Sequence, residues 1–219
     1  MPPKEKKTAK TAEDKLNALF NEFADEEDTE IIGMDGIEKL CGQVGISDAG
    51  GDVRALVLCW KLGGCTVEPL KPGCIKRAEF TGSMHTMRKD SIKALAQMLP
   101  SLETGFMENK EFQEFFRFVH KFSREDGTQK KFLEKSFVVD LLPIVLDTTR
   151  APHLTLFLEF LATQPDTMAI SSDQWESFLM FNTNVSLDMD GYDDSSAWPV
   201  LLDEYVEWRE EKDGKKYSS

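Results

Sequence analysis

The stretch Phe112-Gln-Glu-Phe-Phe-Arg-Phe-Val-His-Lys-Phe122 decides the fold class. Phe112, Phe115, Phe116, Val119 and Phe122 recur at three- and four-residue intervals, with Gln, Glu and Lys in the gaps. That spacing builds one apolar stripe on a helix, whereas a half-buried strand would alternate. Upstream, Leu16, Leu19, Phe20 and Phe23 repeat the pattern, and Thr11 with Asp14 forms a capping pair. An acidic break over 25–30 precedes a helix around 37–44. Asp52 suits the N-cap of a helix over 53–62 that is apolar nearly all round and therefore central. Gly63, Gly64, Pro69, Pro72 and Gly73 mark a loop before a helix over 77–87. Asp90 or Ser91 caps a short helix that Pro100 must follow. Downstream, Asp126 and Gly127 signal a turn, and helical patterns cover 132–146, 153–163, 171–185 and 198–211. Pro143 should kink or shorten the first of these. No alternating stretch exceeds three or four residues, so the expected fold is all-α with about nine or ten helices.

At 219 residues, 41% hydrophobic and 10% aromatic, the chain can bury a sizeable core. Fifteen Phe against three Tyr assign much of the aromatic content to that core. The formal charge of −13 excludes nucleic acid as a general ligand and favours a basic protein partner. The N-terminal stretch has no apolar signal region, and no run reaches the roughly 18 apolar residues of a membrane span, so an intracellular, soluble chain with no membrane partner is expected. Lys4, Lys6, Lys7 and Lys10 make residues 1–10 a solvated tail, with a nuclear-import signal as the lesser reading. Cys41, Cys59, Cys65 and Cys74 lack the paired spacing of a structural zinc site; Cys41 and Cys59 read as buried reduced thiols.

No residues are set out for catalysis. His85, His120 and His153 are scattered without metal or triad spacing and read as structural. There is no phosphate loop, nucleophile elbow or His-Glu-x-x-His sequence. Two stretches resemble calcium loops. Ser186, Asp188, Asp190 and Gly191 match positions one, three, five and six, but position eight is Asp193 and the closing Glu is Ala197. Asp25, Glu27, Thr29 and Ile32 match a second loop in which Glu30 replaces the Gly and Gly36 the closing Glu. Without that bidentate carboxylate most of the affinity is lost, so neither a metal nor any other cofactor is expected.

Near the C-terminus, Ser171 and Gln174 have capping-box spacing, which puts Asp173 in the first turn of a helix continued by Trp175, Phe178, Leu179 and Asn182. Asp188, Asp190, Asp193 and Asp194 fill the connection. Pro199 suits the first position of the last helix, with Trp198, Leu201, Leu202 and Tyr205 as its buried face. Asp203, Glu204, Glu207, Glu210 and Glu211 form an exposed acidic face. From pattern alone, a solvated surface and a binding surface remain equally open.

The residues Gly191-Tyr-Asp-Asp-Ser-Ser-Ala-Trp-Pro-Val-Leu-Leu-Asp-Glu-Tyr-Val-Glu-Trp208 closely resemble the end of the potentiating-neddylation domain of the defective-in-cullin-neddylation family. Met34-Asp-Gly-Ile-Glu-Lys-Leu-Cys41, Ala55-Leu-Val-Leu-Cys-Trp-Lys-Leu62, Phe112-Gln-Glu-Phe-Phe-Arg-Phe118 and Asp173-Gln-Trp175 follow the family's order, so the resemblance covers roughly 13–210. It implies a single compact multi-helix domain with two degenerate EF-hand-like halves over 11–212, flanked by flexible ends at 1–10 and 213–219. It also implies a short form without the ubiquitin-associated domain that some relatives carry.

By the same resemblance, Asp173, Ala197 and Asp203 correspond to a patch that binds the C-terminal winged-helix domain of cullins, with Asp194 and Glu207 steering. Two carboxylates can accept from Lys or Arg, and a small Ala between them permits close approach. Leu58, Cys59, Leu62, Phe122 and Leu142 correspond to an apolar pocket for the acetylated N-terminal Met of the neddylation conjugating enzyme. Acetylation removes a charge that would be costly in such a pocket. The loop at 63–73 is longer than in the family, and Pro143 disturbs the match near the pocket rim. The implied function is that of a non-catalytic scaffold for cullin neddylation, acting in nucleus and cytoplasm with a RING-type ligase. The alternatives from other classes are a calcium-responsive EF-hand-like sensor and a helical adaptor for another basic protein.

Overall fold

Thr11 opens the first helix as the sequence requires: its hydroxyl accepts from Asp14 N–H at 3.1 Å while the Asp14 carboxylate accepts from Thr11 N–H at 3.0 Å. In the computed structural model, residues 11–125 and 131–217 are described. The Lys-rich tail at 1–10 and the turn signal at Asp126 and Gly127 lie outside them. The chain divides into two compact units at Phe106 and Met107.

The first unit holds α1 (Ala12–Asn21), β1 (Ile31–Ile32), α2 (Met34–Val44), α3 (Val53–Lys61), β2 (Ile75–Lys76), α4 (Arg77–Thr86) and α5 (Ile92–Ala96). It closes with two 3-10 turns, Leu99–Leu102 and Thr104–Phe106. The expected stripe of Leu16, Leu19, Phe20 and Phe23 is buried. Phe20 meets Phe80 of α4 edge-on at 5.6 Å, and the Arg77 guanidinium lies 4.3 Å from the Phe20 ring. Asp52 caps α3 through Arg54 N–H at 2.9 Å, and Val57 and Leu58 of that helix are fully buried. Ser91, rather than Asp90, caps α5. β1 pairs antiparallel with β2, Ile31 opposite Lys76 and Ile32 opposite Ile75.

The second unit holds α6 (Asn109–Phe122), β3 (Phe132–Glu134), α7 (Lys135–Val145), α8 (Leu154–Thr163), β4 (Ala169–Ser171), α9 (Ser172–Asn184) and α10 (Val200–Asp213). α6 packs on α9 by stacking Phe116 on Trp175 at 4.4 Å, and the Trp175 indole N–H donates to Phe116 O at 2.8 Å. Leu133 of β3 pairs with Ile170 of β4. That pairing explains one departure from expectation: the helix expected from residue 132 starts at Lys135, because Phe132–Glu134 is spent on the strand. Pro143 lies inside α7, which ends two residues later at Val145. Pro199 stands at the N-cap of α10, with ψ 143°, one residue outside the helix it was expected to begin.

The all-helical expectation holds. Ten α-helices are present among the described residues, and the strands have only two or three residues each. No helix among the described residues is long and apolar enough to cross a membrane. Cys41, Cys59 and Cys65 are buried, and Cys74 is half-buried. Burial raises the Cys41 thiol to about 11 and pushes Cys59 higher still, so neither forms a reactive thiolate near neutral pH.

The calcium-like stretch that begins at Asp25 lies between α1 and α2 and contains β1. Asp25 Oδ1 accepts from the N–H groups of Glu27 and Asp28, and the Asp28 carboxylate takes Glu30 N–H and the Lys71 ammonium. A Cβ at Gly36 would collide with the Phe23 carbonyl oxygen and Ile32 Cγ2, so no Glu fits that position. Among the described residues no group of three or more metal-binding side chains comes together.

The long loop before β2 is fastened by one buried carboxylate. Glu79, 4% exposed, accepts from Thr66 N–H at 2.8 Å, Val67 N–H at 2.9 Å and Lys76 N–H at 2.8 Å. Removing it leaves three backbone donors without their acceptor. Glu79→Ala is therefore expected to lower unfolding stability by about 3 kcal/mol, and Glu79→Gln, which keeps one acceptor oxygen, by less. Urea denaturation of the three proteins checks both.

Candidate functional site

The acidic residues near the C-terminus are positioned by a buried polar cluster built on His153. Its Nε2 lies 3.2 Å from Val185 O and 3.0 Å from Ser186 O, and carbonyl oxygens only accept, so Nε2 carries the proton. Nδ1 is then the acceptor, and the Tyr205 hydroxyl donates to it at 3.0 Å. The Tyr205 oxygen in turn accepts from Arg209 Nη1 at 3.4 Å, and Arg209 also bonds Leu187 O and Asp213. The His153 N–H donates to Asn182 Oδ1 at 2.8 Å, and Asn182 Nδ2 donates to Phe178 O at 2.8 Å. One imidazole thus ties the start of α8, the end of α9, the following loop and α10 together. Aromatic rings enclose it, Tyr205 lying 5.4 Å from Phe157 and 6.0 Å from Phe181. Burial pushes the Tyr205 phenol up to about 12, which keeps it a donor.

From this anchor the chain runs out to the surface. Ser171 and Gln174 form the expected capping box, and Asp173 is exposed in the first turn of α9. Gly191 has φ 93°, and a Cβ there would collide with Asn184 O, so only glycine lets the loop cross the end of α9 this closely. Asp193 is occupied by its own turn, accepting from Ser195 N–H at 2.9 Å and the Ser195 hydroxyl at 2.7 Å, and these bonds hold its carboxyl below the usual range. The Trp198 ring meets Phe181 at 5.4 Å, leaving Ala197 exposed beside it. Asp203 is half-buried in the first turn of α10, and its Oδ1 accepts from the Tyr192 hydroxyl at 2.9 Å.

Of the expected patch, Asp194, Ala197 and Glu207 are exposed, with Asp203 between them on the loop–α10 segment. Burial first, then the hydrogen bond to Asp203 and the negative charges of Asp203, Asp194 and Glu207, raise the Tyr192 phenol. Asp173 sits eight residues before Phe181, about 12 Å along α9 from the point where Trp198 packs. Glu210 departs from the expected exposed face: it is 6% exposed and accepts from Tyr217 N–H at 2.6 Å and Lys216 Nζ at 2.7 Å.

The expected apolar-pocket residues are all buried: Leu58, Cys59 and Leu62 at the end of α3 in the first unit, Phe122 and Leu142 in α6 and α7 of the second. Sequence reasoning missed Tyr192 and the role of His153. Tyr192 stands inside the quoted C-terminal stretch, and its polar tip beside four aspartates was the available signal. His153 had none, because its partners are 29 to 52 residues away.

A family model described as cullin binding matches residues 94–208. DCN1-like protein 2 of Dictyostelium discoideum is 31% identical over 191 residues, which is 87% of this chain and 67% of that protein. DCN1-like protein 3 of Homo sapiens is 28% identical over 200 residues, 90% of this chain and 63% of that one. DCN1-like protein 4 of Danio rerio is 31% identical over 194 residues, 89% of this chain and 65% of that one. The chain belongs to the cullin-binding, DCN1-like family. It spans about two thirds of the length of these relatives.

His153 and His120 both titrate below the ordinary histidine value, in each case chiefly through burial. The unfolded chain therefore takes up protons first as pH falls. The stability these neutral rings contribute is complete above about pH 6.5 and is lost as pH falls from there through the lowered folded values. Thermal midpoints should accordingly drop between pH 7.5 and pH 5.5; a rise over that range would contradict the assigned neutral state of His153.

Proposed function

We propose that the protein is a non-catalytic scaffold for cullin neddylation. It binds the cullin C-terminal winged-helix domain through Asp173, Ala197 and Asp203, with Asp194 and Glu207 steering the encounter. The observation that carries this reading is the acidic surface of α9, the loop and α10, lying within the residues that match the cullin-binding family and anchored from beneath by His153. Basic side chains of a partner would find carboxylate acceptors flanking the small, exposed Ala197.

The second partner is the N-acetylated neddylation conjugating enzyme. An apolar site suits an uncharged acetyl-Met and penalises a free ammonium. Holding both partners raises the effective concentration of the modifier thioester at the cullin lysine, so no side chain of the scaffold need move a proton. A RING-type ligase acts with it, in nucleus and cytoplasm. In the same reading each unit is an EF-hand-like pair without metal, a view supported by the repeated helix–loop–strand–helix order and the antiparallel pairing of the strands.

Asp203→Arg reverses a charge at the centre of the patch on the surface of α10. It is expected to weaken binding to a cullin winged-helix domain by at least about thirtyfold. Helical circular dichroism should stay that of the parent, and the melting temperature should fall only slightly through loss of the Tyr192 hydrogen bond. Undiminished cullin binding would remove the patch from the account.

A further inference from the structure

The Asp203 carboxylate has a neutral donor fixed against it, and the way that donor is held suggests a purpose beyond packing. Tyr192 is pinned on three sides. Its ring faces Phe181 of α9 at 6.2 Å, its N–H donates to Met189 O at 3.1 Å, and its neighbour Gly191 allows the loop to lie against Asn184 O. Its hydroxyl therefore reaches Asp203 Oδ1 from a fixed base on α9. Met189, which shapes that turn, is buried with a left-handed φ of 67°, a conformation that a non-glycine side chain adopts at a cost and only under outside constraint.

We propose that Tyr192 is the positioning residue of the cullin-binding patch, its hydroxyl setting the Asp203 carboxylate so that the second oxygen is presented to a basic side chain of the partner. The inference rests on the patch reading above. A hydroxyl suits this task where a lysine or arginine would not, because it orients the carboxylate without cancelling the charge the partner must find. Preorientation lowers the ordering cost of docking, since an exposed aspartate would otherwise have to be fixed when the partner arrives. The phenol, raised first by burial and then by its hydrogen bond to Asp203, remains a protonated donor at neutral pH.

A double-mutant cycle in the full chain tests this. Tyr192→Phe keeps the ring on Phe181 and removes only the hydroxyl; Asp203→Asn keeps an acceptor oxygen and removes the charge. Affinity for a cullin winged-helix domain is measured by titration calorimetry at fixed ionic strength for the parent, both single variants and the double variant. Tyr192→Phe is expected to weaken binding by about two- to tenfold in the parent and to have no further effect beside Asp203→Asn. An equal loss in both backgrounds, or no loss in the parent, overturns the positioning role while leaving the patch intact. Parent-like binding by Asp203→Asn is a different failure: it overturns the patch itself and the tyrosine's role with it.

Discussion

A single neutral imidazole, buried where α8 begins, sets the geometry on which the C-terminal surface depends. His153 must donate to two carbonyl oxygens at the end of α9 and accept from Tyr205 on α10 at the same time, and only one tautomer can do both. Because those partners belong to consecutive pieces of chain, satisfying them fixes where the loop leaves α9 and how α10 returns. The acidic side chains outside are unremarkable in themselves. Their arrangement is specific because the polar cluster beneath has few alternative ways to close, and an unsatisfied member in that apolar setting would be costly.

The first unit solves a similar problem differently. There Glu79 gathers three backbone donors from both sides of the long loop. Gly36 shows the same economy of space, since its missing side chain lets α2 begin against the Phe23 carbonyl. The position where a calcium loop would place its closing carboxylate is thus filled by backbone packing.

How far the sequence could be read depended on the range of the interaction. Capping pairs such as Thr11 with Asp14 and Ser171 with Gln174 are separated by three residues, and both were visible in the sequence. So were the buried stripes of α1 and α6, whose period is local. The β1–β2 and β3–β4 pairings join segments far apart and only two or three residues long, too short to show alternation. The inward turn of Glu210 depends on Tyr217 N–H curling back, which helical spacing cannot foresee. Asp173, Ala197 and Asp203 came from family resemblance, and chemistry alone gave no reason to prefer them to Asp188 or Asp190. Tyr192 escaped notice because acidic neighbours suggested charge, while its role follows from a contact made eleven residues away.

The central claim is that the surface formed by the start of α9, the loop after it and the start of α10 receives the cullin. Amide hydrogen exchange of the full chain, with and without a saturating cullin winged-helix domain, reads this directly. The account predicts slowed exchange in the first turn of α9, across 186–199 and in the first two turns of α10. Protection confined to other elements, with these three segments exchanging as in the free protein, would contradict it.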